Sequence, residues 1–242
     1  CAVFCLDFNM AASMPCNPSI GGSAKGQIVG EIDAMGGIMG EAADNTYLQI
    51  KYLNSSRGPA VQALRTQNDK YKYPKYVQKK IKEQPNITVI SEEVVDLIVE
   101  NDAVIGVRTL ANGCFYAKST VITTGTYLKG KTHIGLQHKE EGRMGEAPSN
   151  HLSTALTKLN IKLGRLKTGT TPRLCSKTLD YSKMTPQPGD ARFLRFSFKT
   201  EDTGRHNEQI DCYLTNTCEE THTVIRNSLD ESPLYSGKIT GA

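Results

Sequence analysis

The spacing of apolar and polar positions changes several times along the chain, and each change marks a predicted element. Cys1-Ala2-Val3-Phe4-Cys5-Leu6-Asp7 is short, continuous and apolar, which predicts a buried strand of a parallel sheet rather than a one-sided antiparallel strand. From Lys25 to Met35 the apolar residues Ile28, Val29, Ile32 and Met35 recur at helical spacing, and Gly36-Gly37 supplies a stop. A second, weaker helical pattern covers Ile38 to Gln49, until Asn54-Ser55-Ser56-Arg57-Gly58-Pro59 breaks it. A long polar helix is predicted over Ala60 to Gln84, with a lysine-rich face, Tyr71, Tyr73 and Tyr76 along it, and Pro74 as a kink or division.

Strand patterns follow at Ile87 to Ser91, Val94 to Glu100, Val104 to Leu110 and Cys114 to Lys118, with Asn112-Gly113 as a hairpin signal. Together they predict an antiparallel meander. It leads into Thr120-Val121-Ile122-Thr123-Thr124-Gly125-Thr126, a β-branched strand ending in Thr-Gly, the kind of strand end where a doubly wound sheet meets its ligand or simply stops. Gly142 to Ser149 reads as a loop, with Ser149 as N-cap of a helix running to about Asn160. Ile161 to Arg173 mixes strand residues with glycine and basic residues, and a domain boundary is placed here, giving domains of 1–165 and 166–242. Beyond it, Phe193 to Phe198 and Gln209 to Leu214 read as strands. Thr217-Cys218-Glu219-Glu220 has capping-box form ahead of a helix to Leu229. The class is α/β: a doubly wound sheet with an antiparallel meander and part of a second α/β domain.

Composition adds bounds rather than elements. The chain has 242 residues, 38% hydrophobic and 22% charged, with a formal net charge of +4; that mild excess allows a polyanionic partner without demanding one. No apolar run approaches the roughly 18 residues of a membrane span, which predicts a soluble chain. Seven cysteines are widely spread, without a Cys-x-x-Cys pair or a secretory signal ahead of them, and predict reduced thiols in a cytosol-like compartment. Five histidines are equally scattered, with no spacing that suggests zinc. The start at Cys1 inside an apolar run reads as an internal fragment.

Candidate chemistry concentrates in Pro15-Cys16-Asn17-Pro18-Ser19-Ile20-Gly21-Gly22-Ser23-Ala24-Lys25-Gly26. Proline restricts itself and the residue before it, so Cys16-Asn17-Pro18 is a stiff extended or turning piece that holds the thiol. The glycines permit close backbone approach to a ligand or positive φ. Two readings stand side by side at this level: a ligand loop suited to phosphate or a flavin ring, and a tight turn around a buried cysteine that packs as a small hydrophobe.

The same loop, followed by Glu31-Ile32-Asp33-Ala34-Met35-Gly36-Gly37 and Asn54-Ser55-Ser56-Arg57-Gly58-Pro59-Ala60-Val61, resembles one family. Further matches are Thr124-Gly125-Thr126-Tyr127-Leu128, His133-Ile134-Gly135-Leu136, Gly164-Arg165-Leu166-Lys167-Thr168-Gly169-Thr170 and Ser228-Leu229-Asp230-Glu231-Ser232-Pro233-Leu234-Tyr235. In order and across the whole chain, they are similar to the large flavoprotein subunit of the tRNA uridine 5-carboxymethylaminomethyl modification enzyme, the glucose-inhibited division protein A (MnmG) family.

The resemblance implies an FAD-binding, Rossmann-like sheet with part of an inserted domain. It implies that the family's amino-terminal glycine fingerprint and second cysteine lie outside these residues. The implied activity is modification of the wobble uridine of tRNA, with FAD as cofactor, methylenetetrahydrofolate as one-carbon donor and NADH as reductant. The implied partners are tRNA and an MnmE-type GTPase, the chain acting as a homodimer within a heterotetramer. The implied location is the cytoplasm, or the mitochondrion of a eukaryote.

By position, Cys16 matches the family's first functional cysteine, where a thiolate can add to an electrophilic ring carbon, with Lys25 the nearest basic candidate in sequence. Val94 and Ser149 match FAD-contact positions, Thr124 and Gly125 resemble the flavoprotein strand-end motif, and Gly21 and Gly22 complete the expected cofactor set. Arg57, Arg143, Arg165, Lys167 and Arg173 are candidate phosphate contacts, or ordinary surface. Competing readings are the folate- and FAD-dependent tRNA uracil methyltransferase, to which the Cys16 loop pattern is foreign, a generic flavin oxidoreductase, and a non-catalytic RNA-binding module of flavoprotein shape.

Overall fold

The computed structural model describes residues 1–15 and 17–239. In chain order the elements are β1 (Ala2–Cys5), β2 (Ser19–Gly21), α1 (Gly26–Ala34), α2 (Met39–Thr46), β3 (Tyr47–Leu53), β4 (Ala63–Asn68) and α3 (Lys72–Glu83). Then come β5 (Thr88–Ser91), β6 (Val94–Glu100), β7 (Ala103–Thr109), β8 (Cys114–Tyr116), β9 (Thr132–Ile134), β10 (Gln137–Lys139) and α4 (His151–Lys158). The last are β11 (Thr185–Gln187), β12 (Cys212–Leu214) and α5 (Glu219–Asn227). The fold is α/β with parallel and antiparallel sheets. Two compact units share the chain: one takes residues 1–8, 87–168 and 217–242, the other residues 9–86 and 169–216. The chain passes from one unit to the other at 8/9, 86/87, 168/169 and 216/217.

In the first unit, β1 pairs in parallel with β5, Ala2 opposite Thr88 through Cys5 opposite Ser91, as the continuous apolar run predicted, but it is not buried as expected: Ala2 is exposed and Val3 to Cys5 are half-buried. The meander also forms, in the order β6-β7-β8. Its first turn is Asn101-Asp102, both at positive φ (50° and 59°), the conformation that a two-residue hairpin loop demands and that Asn and Asp tolerate best. The second turns at Asn112, also at positive φ (65°). Phe4 and Phe115 meet edge to face with centroids 5.0 Å apart. Helix α4 buries Leu152, Ala155 and Leu156 and packs on β6.

The strand expected over Thr120 to Thr126 is absent, and Val121 is 83% exposed. A β-branched run becomes a strand only when a neighbour supplies the ladder, and among the described residues none does. The N-cap of α4 is Asn150, not Ser149, because Ser149 is occupied otherwise, as described below. Helix α5 starts one residue later than predicted: Cys218 is its N-cap and closes a capping box with Thr221.

The second unit is built on the antiparallel sheet β2-β4-β3, with β4 in the centre. This overturns the first half of the predicted helix from Ala60: residues 63–68 are a strand, with Ala63, Thr66 and Asn68 buried. Tertiary context overrides a weak local preference here. Thr66 Oγ1 donates to Asn68 Oδ1 at 2.7 Å, and Asn68 Nδ2 donates to Ala43 O at 3.0 Å and Thr46 Oγ1 at 3.1 Å. A polar network fully paired in this way fixes α2 against β4.

Helix α2 stops at Thr46, where β3 takes over, so the second predicted helix is shorter than its pattern. Pro74 neither kinks nor divides α3; it lies in the first turn, where its missing N–H removes no helical bond. The core comprises Val29, Ala42, Ala43, Tyr73, Val77 and Phe196. Phe193 to Phe198 is not a strand, since carboxylates rather than a ladder hold its amides, and of Gln209 to Leu214 only β12 pairs, antiparallel to β11.

Candidate functional site

In the second unit the glycine loop is a continuation of β2. Ile20 pairs with Thr66 and Gly21 with Arg65, after which Gly22 N donates to Leu64 O at 2.8 Å and Gly26 N to Gly22 O at 2.8 Å. Gly21 and Gly22 both have positive φ, 84° and 97°, so the chain can reverse here and enter α1. Their surroundings differ. A Cβ on Gly21 would lie 2.3 Å from Leu64 O and 2.5 Å from Phe196 Cζ, whereas one on Gly22 would meet only Arg65 Cδ, at 3.9 Å. The loop end is tied down from the β3–β4 connection, where Asn54 Nδ2 donates to Ser23 Oγ at 3.0 Å and to Val61 O at 2.8 Å. That connection carries the exposed Arg57.

Cys16 lies outside the described residues, but its neighbours line an apolar cleft of about 480 Å³. Ala12, Ser13, Met14, Pro15, Asn17, Ser19 and Ile20 form one side, and Ile38, Met39, Tyr73 and Val77 the other. Arg173 Nη2 donates to Pro15 O at 3.3 Å, which places this predicted basic residue against the loop rather than out in solvent alone. The lining is largely apolar, and Pro15 and Asn17 are among the residues of its first side.

In the first unit the structure brings Val94, Thr124, Gly125 and Ser149 into one neighbourhood. Tyr127 N donates to Thr124 O at 3.0 Å, Ser149 N to Tyr127 O at 2.9 Å and Lys129 N to Ser149 O at 2.8 Å, so the Thr124-Gly125 turn runs directly into a bridge between Leu128 and Ser149. Ser149 Oγ donates to Glu93 Oε1 at 3.3 Å, and His151 Nδ1 is 3.2 Å from the same oxygen. Glu93 immediately precedes Val94, the first residue of β6, and thus links the two expected contacts. Gly125 has φ of 56°, and a Cβ there would meet nothing within 4 Å.

Among the basic residues, Arg143 is turned inward. Its guanidinium bonds Tyr127 Oη and, at 2.8 Å, Glu146 Oε2, while Tyr127 Oη donates to Glu146. Burial, then the bond to Glu146, pushes the Tyr127 phenol up. The charge of Arg143 is therefore engaged within its own loop. Arg165 is exposed and its Nη1 donates to Lys129 O at 2.6 Å, and Lys167 is exposed.

Sequence reasoning gave no role to Glu93 and Glu146, which carry no motif, or to Tyr127, which lies in a family-matching stretch, and it missed the burial of Asp33 and Asp44, at which their helical pattern does not hint. Asp44 is buried and accepts amides from Phe196 at 2.9 and 3.1 Å and Ser197 at 2.8 Å, with the Thr200 hydroxyl at 2.6 Å. Burial pushes its carboxyl up. Among the described residues no group of three or more His, Cys, Asp or Glu could hold a metal ion, and no helix is long and apolar enough to cross a membrane.

Fold and site together define an α/β protein whose candidate chemistry sits on loops, one beside an apolar cleft and one at a glycine turn closed by a serine. All 242 residues match the family described as Glucose inhibited division protein A, and the chain belongs to that family. Two crystal forms of Aquifex aeolicus GidA are similar to it, at 44% identity and a TM-score of 0.91 for form I and 43% and 0.90 for form II. They cover 99% and 98% of this chain, which spans 41% and 40% of theirs.

Proposed function

We propose that the full-length protein containing this chain modifies the wobble uridine of tRNA, placing a carboxymethylaminomethyl or aminomethyl group at position five of uracil together with an MnmE-type GTPase. The observation that carries this reading is the family match over every residue, joined to 44% identity with a GidA across 99% of the chain.

A Rossmann-like FAD sheet is part of the proposal, and the surroundings of Gly125 fit it. The turn is exposed, adopts a conformation that suits glycine, and leaves free the space over its Cα that a dinucleotide would approach. Val94 and Ser149, joined through Glu93, would hold the cofactor beside it, Val94 through backbone atoms because its side chain offers no hydrogen bond. FAD would supply the redox chemistry that passes the one-carbon unit of methylenetetrahydrofolate to uracil, with NADH as reductant. Cys16 would supply the thiolate that adds to the ring, and the apolar cleft lined by its sequence neighbours would receive the base. Arg57, Arg165, Lys167 and Arg173 would meet tRNA phosphates.

Nucleoside analysis of tRNA from a deletion strain complemented with the full-length protein tests the reading. The parent should restore the modified wobble uridine, and Cys16→Ser should strongly reduce it while the purified protein keeps its flavin absorbance. Modification at the parental level in Cys16→Ser would remove the catalytic thiol and return the loop to a structural turn.

A further inference from the structure

We propose that one face of the β9–β10 hairpin, carrying Lys131, His133 and His138 with Arg165 beside it, is a contact surface for the phosphodiester backbone of RNA. The ribbon is antiparallel, with His133 directly opposite His138, so both imidazoles stand on one face, their ring centroids 5.9 Å apart. The charges that bear on His133 are all positive: His138, Lys131 and Arg165. Once protonated, two imidazoles directly opposite each other destabilise a ribbon. Among the described residues none of these four side chains forms an ion pair. Arg165 donates one N–H to Lys129 O at 2.6 Å, which leaves the rest of its exposed fork for another acceptor. An anion lying on this face would relieve the repulsion.

The neighbouring acids do not supply it. Glu141 accepts from Thr132 Oγ1 at 2.9 Å, and Thr132 alternates with His133 and so belongs to the opposite face. Glu140 is exposed just after β10. At the hairpin turn, the carbonyl oxygen of Glu231 lies 3.9 Å from where a Cβ on Gly135 would stand, yet neither Glu231 nor Asp230 pairs with the hairpin. The face is an open ribbon with Lys131, His138 and Arg165 exposed, so a small anion would find no enclosure, whereas a polyanion needs only spaced positive charge at a surface. A metal suits the imidazoles less: among the described residues no third ligand completes a group, and Lys131 and Arg165 repel a divalent cation. Burial, then His138, Lys131 and Arg165, holds the His133 imidazole below its ordinary value. A phosphate beside it favours the charged form, so binding takes up protons and tightens as pH falls through about 6.5.

The inference rests on the reading above for the identity of the RNA, a tRNA. The test is filter binding of tRNA to the full-length protein at pH 7.5 and pH 6 and matched ionic strength. The parent should bind about fivefold tighter at pH 6, as protons are taken up with the phosphate. Joint His133→Gln and His138→Gln should remove most of that gain. Joint His133→Lys and His138→Lys, which fixes the charge, should bind at pH 7.5 about as tightly as the parent does at pH 6. Lys131→Ala should reduce the slope of log K against log salt by about 1. Inorganic phosphate, added at constant ionic strength, should leave the tRNA bound. A gain at pH 6 that survives the glutamine pair overturns the inference and leaves tRNA as the partner, and absence of binding at both pH values overturns the two together. Displacement by inorganic phosphate from the parent but not from the glutamine pair would assign the face to a small anion, against this proposal. A gain lost in the glutamine pair, in a protein whose deletion leaves the wobble uridine modified, would sink the proposed function and leave the RNA surface standing.

Discussion

The turns at Gly21 and Gly125 share a positive φ and an expected role at a ligand, yet the structure treats them oppositely. Gly21 is packed: a carbonyl oxygen and an aromatic ring fill the volume a side chain would need. Gly125 is exposed and has nothing within 4 Å of that volume. The first glycine is required by its neighbours, the second only by its backbone conformation. A glycine of the first kind shapes a site from behind, and one of the second kind leaves a surface that something else can approach.

Three measurements press on this contrast, beginning with the largest expected effect. Gly21→Ala should cost roughly 3 kcal/mol or more, since an overpacked position and an unfavourable φ act together, and urea unfolding of the full-length protein should show the transition of this region moving to lower denaturant. A loss under about 1 kcal/mol would mean that Phe196 yields readily. Gly125→Ala should cost only about 1 to 2 kcal/mol, the conformational share alone, and Gly125→Asn should recover part of it because Asn tolerates the left-handed region. Equal losses at the two glycines would erase the distinction.

The smallest effect concerns how α2 is anchored beside the packed turn. Glu41 accepts a hydrogen bond from Tyr76 and pairs with Lys80 at 2.7 Å, and the bond from Lys80, then that from Tyr76, holds its carboxyl below the ordinary range. A folded-state value below the unfolded one contributes stability above the ordinary glutamate value, about 4.3, and that contribution is lost as pH falls through the depressed value. Lys80 is substantially exposed, so solvent screening keeps the effect below about 1 kcal/mol. Comparing the parent with Glu41→Gln by thermal melts between pH 6 and pH 3 should show the difference closing at the acidic end. A difference that stays constant across that range would assign Glu41 no ionic role.

What could be read from sequence follows from how each part is held. The meander was legible because its strand-forming runs are divided by Asn and Gly turns that produce local pairing, and the parallel pairing of β1 because its run is continuously apolar, although none of its residues is buried. Helix α1 was legible from spacing, although Ile28 and Met35 on that stripe are exposed. The centre strand β4 was not, since Thr66 and Asn68 are polar residues buried in a network that only the folded chain completes. Nor was the loop of Phe193 to Phe198, whose amides are taken by two aspartates over 150 positions earlier. In the candidate site, the motif residues stood out as glycines and a cysteine among prolines, while Glu93, Tyr127 and Glu146 are ordinary residues until Ser149 and Arg143 are placed beside them.

The interleaving of the two units along the chain has a consequence for synthesis. The region from Asn9 to Asn86 carries most of one core, but Phe196 and the amides that satisfy Asp44 arrive about 150 residues after Asp44 itself. At ribosomal rates of about 5–20 residues per second that is a wait of roughly eight to thirty seconds. Through that interval Val29, Ala42 and Ala43 lack their last aromatic neighbour, and a carboxylate destined for the interior has only water for a partner. The nascent chain is then most exposed to holdases and to misassociation, and its final closure is a long-range event of the slow kind.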